Sequence, residues 1–84
     1  MIEKKIIVAL EQGLHARPAT EFVKAASSFS SDIKLEKANR KVEAKSILGV
    51  MSLAVAKGDE ITLYADGSDE EKAIAALETI LVKA

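Results

Sequence analysis

The succession of hydrophobic patterns along the chain predicts an α+β fold, a βαββαβα open-faced sandwich in which three helices cover one face of a four-stranded antiparallel sheet. Three segments alternate apolar and polar residues with the period of a half-buried strand, a fourth is a short β-branched apolar run, and three carry apolar residues at helical spacing. No linker, repeat or low-complexity stretch separates them, so the 84 residues read as a single domain spanning 1–84.

From Lys5 to Leu10 the residues are mostly apolar and β-branched, with Ile6, Val8 and Leu10 at period two, which predicts the first strand. Gly13 breaks it. Ala19, Phe22, Val23, Ala26 and Phe29 then fall at helical spacing, with Pro18 tolerated in the first turn and the serines from Ser27 to Ser31 closing the helix. Asp32–Lys37 and Lys41–Ala44 alternate about a turn at Ala38–Arg40 and predict a hairpin. Ser46 opens a short apolar helix that Lys57-Gly58-Asp59 terminates, and Glu60–Asp66 is the fourth strand. Ser68 and Glu71 match a capping box, with Ser68 as N-cap and Glu71 at N3, ahead of a last helix striped by Ala73, Ile74, Leu77, Ile80 and Leu81. The crossover from the first strand to the second leaves room for another strand between them, and the fourth is the natural occupant.

Composition narrows the function. Lys+Arg 12 against Asp+Glu 13 and an aromatic content of 4% provide neither a cationic footprint for nucleic acid nor many rings to stack on bases. The apolar run at the amino terminus is too short for a signal peptide or a membrane span, so a cytoplasmic location without membrane insertion is expected. With no cysteine and a single histidine there is no disulfide frame, no thiolate nucleophile and no histidine-built metal cage, and neither metal nor cofactor is expected.

The lone histidine is the residue to weigh. If the first helix begins near Ala16, His15 occupies the N-cap, a position that Ser, Thr, Asp or Asn normally fills. The first helical turn presents unpaired N–H groups and the positive end of the macrodipole, and Arg17 adds a guanidinium, so together they form a small phosphate cradle. The same field disfavours imidazolium and favours a neutral ring able to act as a nucleophile. By spacing alone the pattern also fits a half-exposed loop histidine beside a solvated arginine. A Ser-His-Asp hydrolase would need partners brought in from elsewhere in the fold.

Gly13-Leu14-His15-Ala16-Arg17-Pro18-Ala19 resembles the active-site segment of HPr, the histidine-containing phosphocarriers of the bacterial sugar phosphotransferase system. Lys45-Ser46-Ile47-Leu48-Gly49-Val50-Met51-Ser52-Leu53 resembles that family's regulatory serine segment, in the Gram-positive style. The resemblance covers essentially the whole chain and implies a carrier rather than a free-standing enzyme. Such a carrier takes a phosphoryl group from phosphorylated enzyme I and passes it to the IIA domains of sugar permeases. Carried over, His15 is the phospho-acceptor through Nδ1, and Arg17 with the backbone N–H groups of Ala16 and Arg17 steadies the phosphoryl oxygens.

A shared docking surface is implied around the histidine, apolar with a basic rim: Ile47, Leu48 and Met51, with Lys24 and Lys45 as rim charges. At least one of the three apolar residues is expected to be exposed, Met51 above all for its adaptability. Ser46 reads as a helix N-cap, and the resemblance adds regulatory phosphorylation there by a dedicated serine kinase and phosphorylase, with binding to a catabolite-control repressor. Gln12 and Glu21 depart from the residues usual in relatives, and Glu21 weakens the basic rim locally. Two relatives of the fold are competing readings. One is a regulatory module in which glutamine replaces the histidine, and His15 argues against it; the other is the nitrogen-system phosphocarrier, which usually lacks the Lys45–Met51 run. A binding or structural domain without phosphoryl chemistry is a third. A relay that shows one face to successive partners favours a monomer.

Overall fold

A computed structural model describes residues 1–82 and places seven elements in the expected order. They are β1 (Ile2–Ile7), α1 (Ala16–Ser27), β2 (Asp32–Lys37), β3 (Arg40–Glu43), α2 (Ile47–Ser52), β4 (Glu60–Asp66) and α3 (Glu70–Leu81). The sheet runs β1-β4-β2-β3 with every neighbour antiparallel, so β4 does fill the gap between β1 and β2. Its register pairs Ile6 with Ile61 on one side and Leu35 with Leu63 on the other.

Because side chains alternate across a strand, that register sends Ile6, Ile33, Leu35, Ile61, Leu63 and Ala65 to the helix side, where all are buried. Phe22 of α1, Val50 of α2 and Leu77 of α3 meet them with no exposed surface. Each such large side chain contributes about 1.5–3 kcal/mol on leaving water.

The opposite face of the sheet is bare and polar. Lys34 of β2 stands across from Glu43 of β3, and Glu36 from Lys41, so opposite charges are direct cross-strand neighbours. Tyr64 of β4 donates its hydroxyl to Glu36, and the Lys41 ammonium lies 4.0 Å from the centre of its ring. The hydrogen bond to Glu36, aided by partial burial, pushes the Tyr64 hydroxyl up to about 12.

Four expected boundaries move, that of the second helix among them: α2 ends at Ser52 rather than running on to Lys57-Gly58-Asp59, the chain leaving the helix before Ala54 at φ 50°. The first strand is Ile2–Ile7 rather than Lys5–Leu10: an edge strand with one bare face accommodates Glu3 and Lys5 there, and Lys4 reaches the helix layer only to pair with Glu78 at 2.7 Å. The hairpin turn is Ala38-Asn39, with φ of 52° and 67°, the positive pair that a two-residue turn between twisted strands requires, and Arg40 already belongs to β3. Ser68 is not the cap of α3. Asp69 occupies the N-cap without a side-chain cap bond, while Glu70 rather than Glu71 reaches back, accepting the Gly67 N–H at 3.1 Å.

Candidate functional site

The site lies where the loop after β1 enters α1. Gly13 has φ +64°, and a Cβ there would strike the Val55 carbonyl and come within 2.8 Å of Ala56 Cα, so only glycine fits. Leu14 follows, fully buried, and donates its N–H to the Val55 carbonyl at 3.0 Å. These two contacts clasp the loop to the segment between α2 and β4, and the next residue, His15, emerges exposed.

His15 is the N-cap of α1, with extended backbone (φ −118°, ψ 153°) and no side-chain cap bond, so its ring is not used to satisfy the helix end. Ala16 follows at φ +45°, a left-handed conformation costing an L-residue about 1–2 kcal/mol. The Ala16 and Arg17 N–H groups belong to the first turn and have no intrahelical partner, Pro18 has no N–H, and Ala19 donates to the His15 carbonyl at 3.4 Å. Arg17 is exposed beside them, and no acidic residue stands in the first turn to compete for its charge. An exposed imidazole, two free amides, a helix dipole and a guanidinium thus share one corner, which suits holding a phosphoryl group on the ring.

α2 runs antiparallel to α1: its C-terminal side meets the His15 loop through Val55, and ahead of its N-terminus the Lys45 Nζ donates to the Phe29 carbonyl, beyond the far end of α1, at 2.9 Å. Ser46 caps α2, accepting the Gly49 N–H at 3.1 Å through its hydroxyl oxygen. Val50 turns inward, whereas Ile47, Leu48 and Met51 are 38%, 80% and 46% exposed. All three apolar residues therefore face out, Leu48 more than Met51.

The two rim lysines lie at the other end of α1. Lys24 is exposed in its last turn, about 13 Å along the axis from His15. Lys45 is engaged with the Phe29 carbonyl. Arg17 is thus the cation closest in the chain to His15. What sequence reasoning missed is the support from Val55 and Ala56, for which Gly13 was the one local signal.

Comparison with known proteins places this arrangement. A family model described as "PTS HPr component phosphorylation site" matches residues 2–83. The HPr-like protein Crh of Bacillus subtilis (strain 168) is 54% identical over 74 residues, 88% of this chain and 87% of its own length. The crystal structure of a phosphocarrier protein HPr from Bacillus anthracis str. Ames superposes with a TM-score of 0.94 at 46% identity, covering 95% of each chain. A crystal structure of Bacillus subtilis Crh, described as an intertwined dimer with a swapping domain, superposes at 0.76 with 51% identity, covering 96% of this chain and 93% of its own. With the fold, the histidine-bearing helix start and the family model in agreement over almost its whole length, this chain belongs to the HPr family.

Proposed function

We propose that the chain is a phosphocarrier: His15 accepts a phosphoryl group from phosphorylated enzyme I and hands it to the IIA domains of sugar permeases. The observation that carries this reading is an exposed histidine at the N-cap of α1 whose side chain makes no cap bond and whose neighbours Ala16 and Arg17 offer free N–H groups. Nδ1 attacks phosphorus as the bond to the donor breaks, and the ring then holds the group through a P–N bond labile enough to release it. Arg17 and the two amides take the charge of the phosphoryl oxygens. Ile47, Leu48 and Met51 supply the apolar docking surface for both partners, with Lys24 and Lys45 at its far edge.

Ser46 is the proposed regulatory site, phosphorylated by a dedicated serine kinase. A dianion at a helix N-terminus is locally favourable, yet it adds negative charge beside the docking surface and hinders enzyme I, while suiting a catabolite-control repressor. The reaction is cytoplasmic. A monomer fits a relay that presents one face in turn, and sedimentation at working concentration checks it against the dimer described for Bacillus subtilis Crh.

A second reading follows from the 54% identity to Crh, an HPr-like protein: a regulatory binding module without relay. One experiment separates the two. The protein is incubated with phosphoenolpyruvate, Mg²⁺ and enzyme I, and its intact mass is measured. An acid-labile phosphoryl adduct that His15→Ala abolishes supports the carrier, and no adduct leaves the binding module.

A further inference from the structure

The segment that supports the His15 loop is itself gripped from a third element. Lys37, the last residue of β2, donates from Nζ to the Ala54 carbonyl at 2.8 Å and pairs with Asp59 at 2.8 Å. The same Asp59 oxygen accepts the Ala56 N–H at 2.8 Å. One ammonium therefore fixes the residues on both sides of Val55, whose carbonyl receives the Leu14 N–H and abuts Gly13. Ala54 needs the help, since it sits at φ +50°, where an L-residue is strained. Arg40, across the hairpin, adds a hydrogen bond to the Ser52 carbonyl at 3.2 Å. The order of dependence is Lys37 to residues 54–56, these to Gly13 and Leu14, and these to His15 and the left-handed Ala16.

We propose that Lys37 is a positioning residue for His15, holding the 54–56 segment in the one conformation that presents the imidazole beside the free amides of α1. This rests on reading His15 as the phosphoryl acceptor. A cation that only stabilised the end of α2 would change melting and nothing at the histidine, whereas a positioning residue changes the histidine's reactivity and surroundings in the folded protein.

The test uses Lys37→Met, Lys37→Arg and, as a control, Lys34→Met, which removes an ion pair with Glu43 on the bare face of the sheet. Phosphoramidate serves as the donor, ammonia leaving as the imidazole–phosphorus bond forms, so partner docking plays no part. Amide resonances of Leu14 to Arg17 are followed by NMR in the same samples. Lys37→Met is expected to lower the rate at His15 at least about fivefold and to shift the Leu14, His15 and Ala16 amides. Lys37→Arg restores both, and Lys34→Met alters neither. Asp59→Asn, which loosens the grip from the other side, moves the same amides. A parental rate in Lys37→Met, an equal loss in Lys34→Met, or unmoved amides overturns the proposal. If the parent takes no phosphoryl group at His15, the carrier reading falls instead, and the amide shifts in Lys37→Met alone decide the positioning claim.

Discussion

Ser31 donates to Asp69 through both its backbone N–H, at 3.0 Å, and its hydroxyl, and so joins the end of the α1–β2 loop to the start of α3. Ser30 adds its N–H at 2.9 Å. Chiefly through the Ser31 hydroxyl and the Ser30 amide, these donors hold the Asp69 carboxyl at about 2, below its ordinary 3.8. A depressed carboxylate stabilises the fold at every pH above its unfolded value and loses that contribution as pH falls through the folded one. The window is therefore from about pH 4 down to about 2. Thermal melting followed by circular dichroism should show Asp69→Asn less stable than the parent at pH 7, with the difference shrinking across that window.

Tyr64 is the chain's single tyrosine, and tryptophan and cysteine are absent, so phenolate absorbance reports this residue alone. Its midpoint is expected at about 12, and Glu36→Gln should bring it back toward 10.0 by removing the largest cause of the rise. The sign for stability is the reverse of Asp69: a raised phenol contributes below its unfolded value, and the contribution is lost as pH rises from 10.0 through about 12.

Gly13→Ala should destabilise the protein by about 1–3 kcal/mol, because the new methyl meets the Val55 carbonyl in a left-handed backbone. Urea unfolding measures the loss. Transfer of phosphate to His15 should slow further than the fraction unfolded accounts for, since the clasp that presents the ring is displaced.

Leu48 and Val50 face opposite ways on α2 and should separate docking from folding. Val50→Ala removes core volume and should cost about 2 kcal/mol in urea unfolding. Leu48→Ala should leave stability within about 0.5 kcal/mol of the parent. Its expected loss is instead a KM for transfer from enzyme I raised about tenfold.

Ser46→Asp keeps an acceptor for the Gly49 N–H, so α2 should remain capped and melting nearly unchanged. Its charge should nevertheless lower kcat/KM for enzyme I about tenfold, read by the rate of phosphohistidine formation. An unchanged rate removes the regulatory role of Ser46.

Local pattern was a good guide wherever neighbours in sequence are neighbours in space. Alternation in Asp32–Lys37 and Glu60–Asp66, Ser46 before its apolar run, and Pro18 in a first turn all translate directly into β2, β4, α2 and α1. The start of β1 was hidden because Lys4 stands between Ile2 and Ile6 on the helix side of the sheet, where the alternation calls for an apolar residue. The capping of α3 was misread because the use of Asp69 is decided by Ser30 and Ser31, far away in the chain. At the site, His15, Arg17 and the helix start were legible from one short segment. The support from Val55, the grip of Lys37 and the removal of Lys45 to the Phe29 carbonyl were not, since each joins elements that only the fold brings together.

The position of β4 between β1 and β2 has a bearing on the order of folding. The β2–β3 hairpin needs only its own two-residue turn, but Ile2 waits for Ala65 and Ile33 waits for that same residue. Such distant pairings form late, after the entropy of closing long loops has been met. On a ribosome the strand nearest the amino terminus stays unpaired through most of synthesis, and the His15 loop has nothing to lean on until Val55 and β4 emerge. The histidine thus acquires its setting at almost the same moment as the sheet acquires its centre.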